Sequence, residues 1–496
     1  MVNLSTELLL LGVATLVVYR LLSKPRVPKG ELVHIFPYQN ILLKELGLRL
    51  PPGPPPKPII GNALDMPKYL EWETYAKYAK QYGEIFYLNV FGTHLVFLNS
   101  RRMVHELFER RSSNYSDRTT FPMAVDLMGC GWALTFQGYG EWWRRHRQAM
   151  HDKFHPNAVE AYKPIQIKHT RDLLRRLHKA PEDFIKHIRH TAGAIIMEVV
   201  AYGINIKSES DPYIHTAEKA LNAVGEAAVP GRFLVDMIPW MKYIPEWVPG
   251  ASFKKQARIW RKYILDMADV PFEHVKTQMS NGTAQPSFTS THLERLAATN
   301  DAPADAEQVI KNTAAVIYGA GYDTTVKTLT TFVLAMVLFP DVQKKVQEEL
   351  DAVLGGVRLP EFEDMVALPY TMAAYKEAMR WHALLPMGVA HAATQDDVID
   401  GYFIPKGAIV SGNSWLLLRE EADFGPDTEK FDPGRFMEPG RRDPGQTGAF
   451  GYGRRVCPGR YMAENSLFIA VASILQNFDI TPARDSSGKE VMPKYE

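Results

Sequence analysis

Near the C-terminus the chain reads Phe450-Gly451-Tyr452-Gly453-Arg454-Arg455-Val456-Cys457-Pro458-Gly459. The sequence contains 2 cysteines in 496 residues. One sits here, in a glycine-punctuated loop ahead of an apolar run. Such a loop suits the presentation of a thiolate to a metal from a stiff, partly shielded backbone. Gly453 and Gly459 are expected to permit φ > 0 or a close approach of backbone to a flat ligand. Arg455 is expected to place a positive charge near the sulfur, which favours the thiolate. Pro458 removes an N–H and stiffens the turn before a helix expected over Gly459–Leu467. A buried structural cysteine is the alternative. The spacing Phe-x-x-Gly-x-Arg-x-Cys-x-Gly, met at every fixed position, weighs against it.

That spacing resembles the haem-binding loop of the cytochromes P450, in which a cysteine thiolate ligates haem iron. The resemblance implies Cys457 as axial ligand of haem b, with Phe450, Gly453 and Arg455 at the cofactor. It also implies a mainly α fold with small β-sheets behind an N-terminal transmembrane helix. Electrons would come from NADPH through cytochrome P450 reductase, with cytochrome b5 as a further partner.

Working outward, a long apolar helix is expected over Glu307–Leu338. It contains Gly319-Ala320-Gly321-Tyr322-Asp323-Thr324-Thr325, an unusual choice for a plain core helix. The small residues are expected to let a flat cofactor approach, with tight helix packing as the alternative. Thr324 is expected to break the ladder locally and offer a hydroxyl, with Asp323 beside it. Ala320–Thr325 resembles the P450 acid–alcohol motif, and the resemblance implies that Asp323 and Thr324 deliver protons to oxygen. Trp143 and Arg147, four apart, resemble the Trp-x-x-x-Arg helix that binds a haem propionate; both are donors. His391 and Arg118 lie where related membrane P450s place further propionate donors. Glu377, Arg380 and Arg435 match the family's buried brace for the cysteine loop.

Helices are further expected over Arg101–Arg110, Glu141–Lys153, Ala158–His178, Phe184–Tyr202, Tyr213–Val229, Ala251–Ser280, Pro340–Leu354 and about Tyr370–Ala383. Ile85–Val90 and His94–Leu98 read as a hairpin around Phe91-Gly92, and Phe403–Val410 as a strand. A formal net charge of +1 implies no polyanion-binding field, so nucleic acid is not an expected partner. No Cys-x-x-Cys, P-loop or Gly-x-Gly-x-x-Gly motif occurs, so no reductase domain is expected within the chain.

Leu8–Tyr19, extended by Leu21–Leu22, is apolar and is followed by Lys24, Arg26 and Lys29. It reads as an uncleaved anchor over 1–22, with the body on the cytosolic face of the endoplasmic reticulum. A cleaved signal peptide is the rival. Residues 23–61 read as a tether ending in a proline-rich hinge, and 62–496 as the catalytic domain. Arg144, Arg145, Arg441, Arg442 and Arg454 could dock an acidic flavoprotein, or could be scattered solvated charges.

The chain is most similar to fungal microsomal P450s of secondary metabolism. Ile188-Arg-His190, Val229-Pro-Gly231 and Tyr243–Gly250 look like a basidiomycete tryptamine hydroxylase-type member. The reaction expected is monooxygenation of a lipophilic small molecule: a terpenoid, a sterol, or an aromatic or indolic compound. Its pocket is expected from Phe121–Phe136, Leu221–Trp240, Val316–Thr324 and Leu384–Ala390. An isomerase or dehydratase on the same fold is an alternative. An inactive haem-binding member is another, because few residues follow Cys457 and related chains usually continue into a terminal hairpin over the substrate.

Overall fold

A computed structural model describes residues 47–67, 69–229 and 231–493. The expected anchor over 1–22, and the tether as far as residue 46, lie outside the described residues. Among the described residues no single helix is long and apolar enough to cross a membrane. The described residues from Leu50 onward form one compact unit.

Within this unit helices predominate, flanked by small sheets. In chain order the principal elements are α1 (Glu71–Tyr82), β1 (Ile85–Val90), β2 (Thr93–Leu98) and α2 (Arg101–Val104), which runs into a π-helical turn at His105–Arg110. β3 (Asp117–Arg118), α3 (Glu141–Phe154), α4 (Lys163–Lys179) and α5 (Phe184–Ile195) follow, and α5 continues as a π segment at Ile196–Ala201. Next come α6 (Pro212–Ala227), α7 (Ser252–Ser280), α8 (Phe288–Ala297), α9 (Ala306–Leu338), α10 (Pro340–Leu354) and α11 (Pro369–Trp381). β4 (His391–Ala392), β5 (Asp397–Ile399), β6 (Tyr402–Ile404) and β7 (Ile409–Gly412) precede α12 (Arg460–Asn477) and an exposed hairpin, β8 (Ala483–Arg484) with β9 (Glu490–Val491).

α9 and α12 are apolar on most faces, so each is enclosed by other helices. α9 contacts α3, α5, α7, α8, α11 and α12, which makes it the axis of the core. Pro340 at the first turn of α10 supplies a preset φ where no N–H partner is needed.

The main sheet runs β1-β2-β7-β4-β3. Phe91 and Gly92 both take positive φ (50° and 87°), as the tight turn joining twisted strands requires. The hairpin register pairs Ile85 with Leu98 and Val90 with Thr93. The single strand expected over Phe403–Val410 is two: β6 pairs with β5, whereas β7 joins the main sheet. Pro405-Lys406-Gly407 makes the turn between them, Gly407 at φ 79°. The proline-rich stretch is tied to β1. Tyr87 N–H donates to Pro52 O at 2.9 Å, and Gly61 bridges Val90. A Cβ at Gly53 would lie 2.0 Å from Tyr87 O, so the backbones touch there. From Pro52 onward this segment packs on the sheet. The helices Glu71–Tyr82 and Phe288–Ala297 were not anticipated from the sequence.

Candidate active site

The cysteine loop closes on itself. Cys457 N–H donates to Phe450 O at 2.8 Å, which sets the width of the loop. Gly453 has φ 54°, and a Cβ there would lie 2.1 Å from Phe108 O. Its freedom lets the loop press against the π turn at His105–Arg110. Gly459 has φ −84°, and a Cβ would meet Cys457 Sγ at an ordinary 3.9 Å. The expectation of unusual backbone therefore holds at Gly453, where protein backbone is the neighbour, and not at Gly459. The helix after the loop runs on to Asn477, because the apolar pattern continues past Leu467.

Burial pushes the Cys457 thiol up, while the Gly459 N–H and the charges of Arg147 and Arg460 pull the other way. Arg455, expected to lend its charge to the sulfur, is committed to backbone carbonyls. Its guanidinium turns to Ser116 O (2.7 Å) and Gln137 O (2.9 Å). Arg460, which the sequence reading did not single out, takes that place from the first turn of α12. Cys130 is 1% exposed, and burial pushes its thiol up to about 12.

Strand register and helix spacing gather the other cations. Arg118 on β3 is paired with His391 on β4. Arg118 donates to Val389 O (2.6 Å) and Ala390 O (3.0 Å), and its buried Nε has no partner. Burial and then the Arg455 charge hold Arg118 down at about 9. Burial, followed by Arg147 among its like-charged neighbours, holds Arg455 down at about 10, against the pull of Asp117. His391 is 4% exposed, donates from Nδ1 to Tyr115 O at 2.7 Å and stacks on Phe108. Burial and then Arg118 keep it neutral. Arg147 donates to Val456 O at 2.6 Å. The Trp143 ring lies 4.5 Å from the Arg455 guanidinium carbon and 6.0 Å from that of Arg147. Among the described residues no carboxylate forms an ion pair with Arg118, Arg147 or Arg455. Three crowded guanidiniums whose nearest counter-charge, Asp117, acts only at longer range form a site that favours a bound dianion.

On α9 the helical ladder is continuous through the motif. Thr324 Oγ1 donates back to Ala320 O at 2.8 Å, a bond that coexists with the ladder and does not break it. Asp323 Oδ2 accepts from Lys327 Nζ at 2.6 Å. Adjacent residues on a helix point about 100° apart, so the acid and the alcohol are not hydrogen-bonded to each other. The i,i+4 spacing to Lys327 was readable but not read. The glycines serve packing. A Cβ at Gly321 would lie 2.4 Å from Ile196 Cδ1, and one at Gly319 would lie 3.3 Å from Leu221. Ala320 and Thr324 remain as the exposed pair of the motif.

The brace forms as anticipated. Glu377 accepts from Arg380 (2.6 and 2.9 Å) and from Arg435 Nε (3.0 Å), with all three side chains 5% exposed or less. Asp432 N–H completes the carboxylate's set at 2.8 Å. A separate apolar pocket is lined by Phe97, Phe121, Val229, Met237, Met387 and Ala390, with Glu71 its one charged residue among the described residues. Three of the four expected segments contribute to it; Val316–Thr324 does not. Most of the expected basic surface is already paired: Arg144 with Glu141, Arg145 with Asp305, Arg441 with Glu438 and Arg442 with Asp423.

The family described as Cytochrome P450 matches residues 51–495. The chain belongs to the cytochrome P450 family. A "Cytochrome P450 monooxygenase" of Armillaria gallica is 44% identical over 459 residues, covering 92% of this chain and 90% of the relative. A second, COX2 of Coprinopsis cinerea, is 40% identical over 464 residues (92% and 88%). A "Tryptamine 4-monooxygenase" of Psilocybe cyanescens is 39% identical over 453 residues (89% and 88%). This P450 is a monooxygenase of fungal type. It uses haem-thiolate chemistry with electrons supplied from NADPH by a reductase.

The residues present fit that group. A dicarboxylate cofactor supplies the counter-charge that Arg118, Arg147 and Arg455 lack, and the orphaned Arg118 Nε is a ready donor. Cys457 is the cysteine of the pair that remains part-exposed.

Proposed function

We propose that this P450 oxidises a lipophilic aromatic amine, with an indolic amine as the best-fitting class. The carrying observation is the pocket that combines Phe97, Phe121, Met237 and Met387 with the single carboxylate of Glu71. Aromatic and thioether walls suit a flat ring, and one anion at the wall suits an ammonium. The tryptamine-oxidising relative supports the same class.

In this reading Cys457 ligates haem iron, and Phe450 and Gly453 fix the loop that presents it. Arg118, Trp143, Arg147, His391 and Arg455 hold the haem carboxylates. When bound, haem supplies the iron at which dioxygen is reduced and one oxygen atom is transferred. Thr324 Oγ1 passes protons on from the open face of α9. Asp323 replenishes it after leaving Lys327, through a water or a side-chain rotation, since the two do not touch directly. Residues 1–22 anchor the chain in the endoplasmic reticulum membrane and 23–61 tether it to the catalytic domain of 62–496, the stretch from Pro52 onward packing on that domain's sheet. Exposed Trp240, Tyr243 and Trp247 support contact with a membrane interface. The reductase, and cytochrome b5 in turn, dock on the basic surface around Arg454, whose guanidinium meets Tyr139 instead of a carboxylate.

Titration of the ferric enzyme with tryptamine, indole and a neutral terpenoid tests the substrate class. The Soret band is expected to shift at lowest concentration with tryptamine, and Glu71→Gln should weaken tryptamine about tenfold while leaving indole unchanged. Equal response to all three, or no effect of Glu71→Gln, overturns the amine assignment.

A further inference from the structure

α4 and α5 carry a cluster that the P450 chemistry does not use. A cavity of about 320 Å³ opens between these helices and the loop that follows the π segment. The carboxylates around it are already engaged. Glu198 accepts from Lys168 Nζ (2.5 Å) and His169 Nε2 (2.7 Å). Glu209 is bonded by His187 Nδ1, and Asp172 by Arg175.

Lys168 and His169 Nε2 are thereby used, but Arg176, Lys207 and His190 form no ion pair among the described residues. Arg176 makes one long bond, to Thr191 Oγ1 at 3.4 Å. Asp172 and Glu209 act on it only at longer range. Lys207 stands exposed on the loop at the cavity wall, with no carboxylate in ion-pair distance among the described residues. His190 is 5% exposed, and its Nδ1 has no partner; His169 is 4% exposed, and its Nδ1 has none either. Burial and the Arg176 charge hold His190 down at about 4, so it stays a neutral imidazole able to donate one N–H. Buried polar atoms without partners call for a ligand or an ordered water, and an unpaired guanidinium beside an unpaired ammonium selects an anion.

We propose that this cavity binds a phosphate or phosphomonoester group. The Arg176 fork takes two oxygens, Lys207 supplies a mobile charge at the mouth, and His190 donates from the wall. None of these residues belongs to the haem or substrate site.

Calorimetric titration of the full-length holoenzyme in phosphate-free buffer tests this, with inorganic phosphate, glycerol 3-phosphate and phosphatidic acid vesicles as probes. Saturable one-to-one binding is expected at concentrations on the order of 1 mM or below. Arg176→Gln and Lys207→Gln should each weaken it about tenfold, with the carbon monoxide spectrum unchanged. Lys207 is exposed, so its substitution leaves the fold intact. Binding of the soluble phosphates identifies a small-molecule site. Binding of vesicles alone, lost in both variants, identifies a lipid headgroup at the same residues. The absence of saturable binding to any probe, or an affinity in both variants equal to that of the parent protein, overturns the proposal.

Discussion

Arg118 and His391 stand directly opposite one another across the antiparallel pair β3–β4. One register thus carries two basic side chains, far apart in sequence, to one edge beside Arg455. Burial is the main cause of the lowered pKa of each, with the Arg455 charge adding to it at Arg118 and the Arg118 charge adding to it at His391. Such a site is costly when empty and favourable when a dianion fills it.

Arg118→Gln is therefore expected to have opposite effects in two states. The haem-free protein should gain roughly 1–3 kcal/mol, because an uncompensated buried charge is removed. The holoenzyme should lose haem more readily. Urea unfolding of the haem-free protein, with haem transfer to an acceptor protein from the holoenzyme, measures both. A variant less stable in the haem-free state would show that Arg118 is held by the protein alone.

Cys457→Ser should abolish the carbon monoxide band near ~450 nm that thiolate ligation produces, and Cys130→Ser should keep it. Cys130 is sealed from solvent and its thiol is held protonated. The reverse pattern would sink the ligand assignment.

Thr324→Ala should leave substrate-induced spectral shifts in place and divert NADPH consumption toward peroxide. Removal of a proton-transfer group is worth roughly 10²-fold or more in product formation. Coupling of NADPH to product equal to that of the parent enzyme would remove the proton-delivery role.

Stability should fall on mild acidification. Burial lowers the pKa of His146, His169, His190, His292, His382 and His391. These bases keep their proton-free form in the folded state while the unfolded chain protonates from about pH 6.5 downward. The unfolded state then binds more protons, so stability drops as pH falls below that value. Each histidine contributes up to about 1.4 kcal/mol per pH unit within its window. Urea midpoints between pH 7.5 and 5.5 check this, and a midpoint that is flat or rises with acid refutes it.

Much of this was legible in the sequence, for identifiable reasons. The cysteine loop and the Glu377–Arg380–Arg435 brace show through because each needs particular residue types at fixed spacing. Long helices such as α7 and α9 show through because their patterns persist over many turns. What stayed hidden depended on distant neighbours. Gly319 and Gly321 read equally well as a cofactor cradle or as packing sites until Leu221 and Ile196 are seen against them. Arg455, two residues before the sulfur in sequence, donates instead to the carbonyls of distant Ser116 and Gln137. The split of Phe403–Val410 into strands of two sheets follows from pairing partners that no local pattern encodes.

The contact between Gly321 and Ile196 makes those two positions a shared volume. A methyl can appear at 321 only where carbon has left 196, since interiors tolerate neither overlap nor excess. Historical order is then constrained. Trimming Ile196 first passes through a void that can be survived, whereas enlarging Gly321 first passes through a collision. Lineages that remodel this crossing should therefore carry the smaller residue at 196 before anything larger than glycine appears at 321.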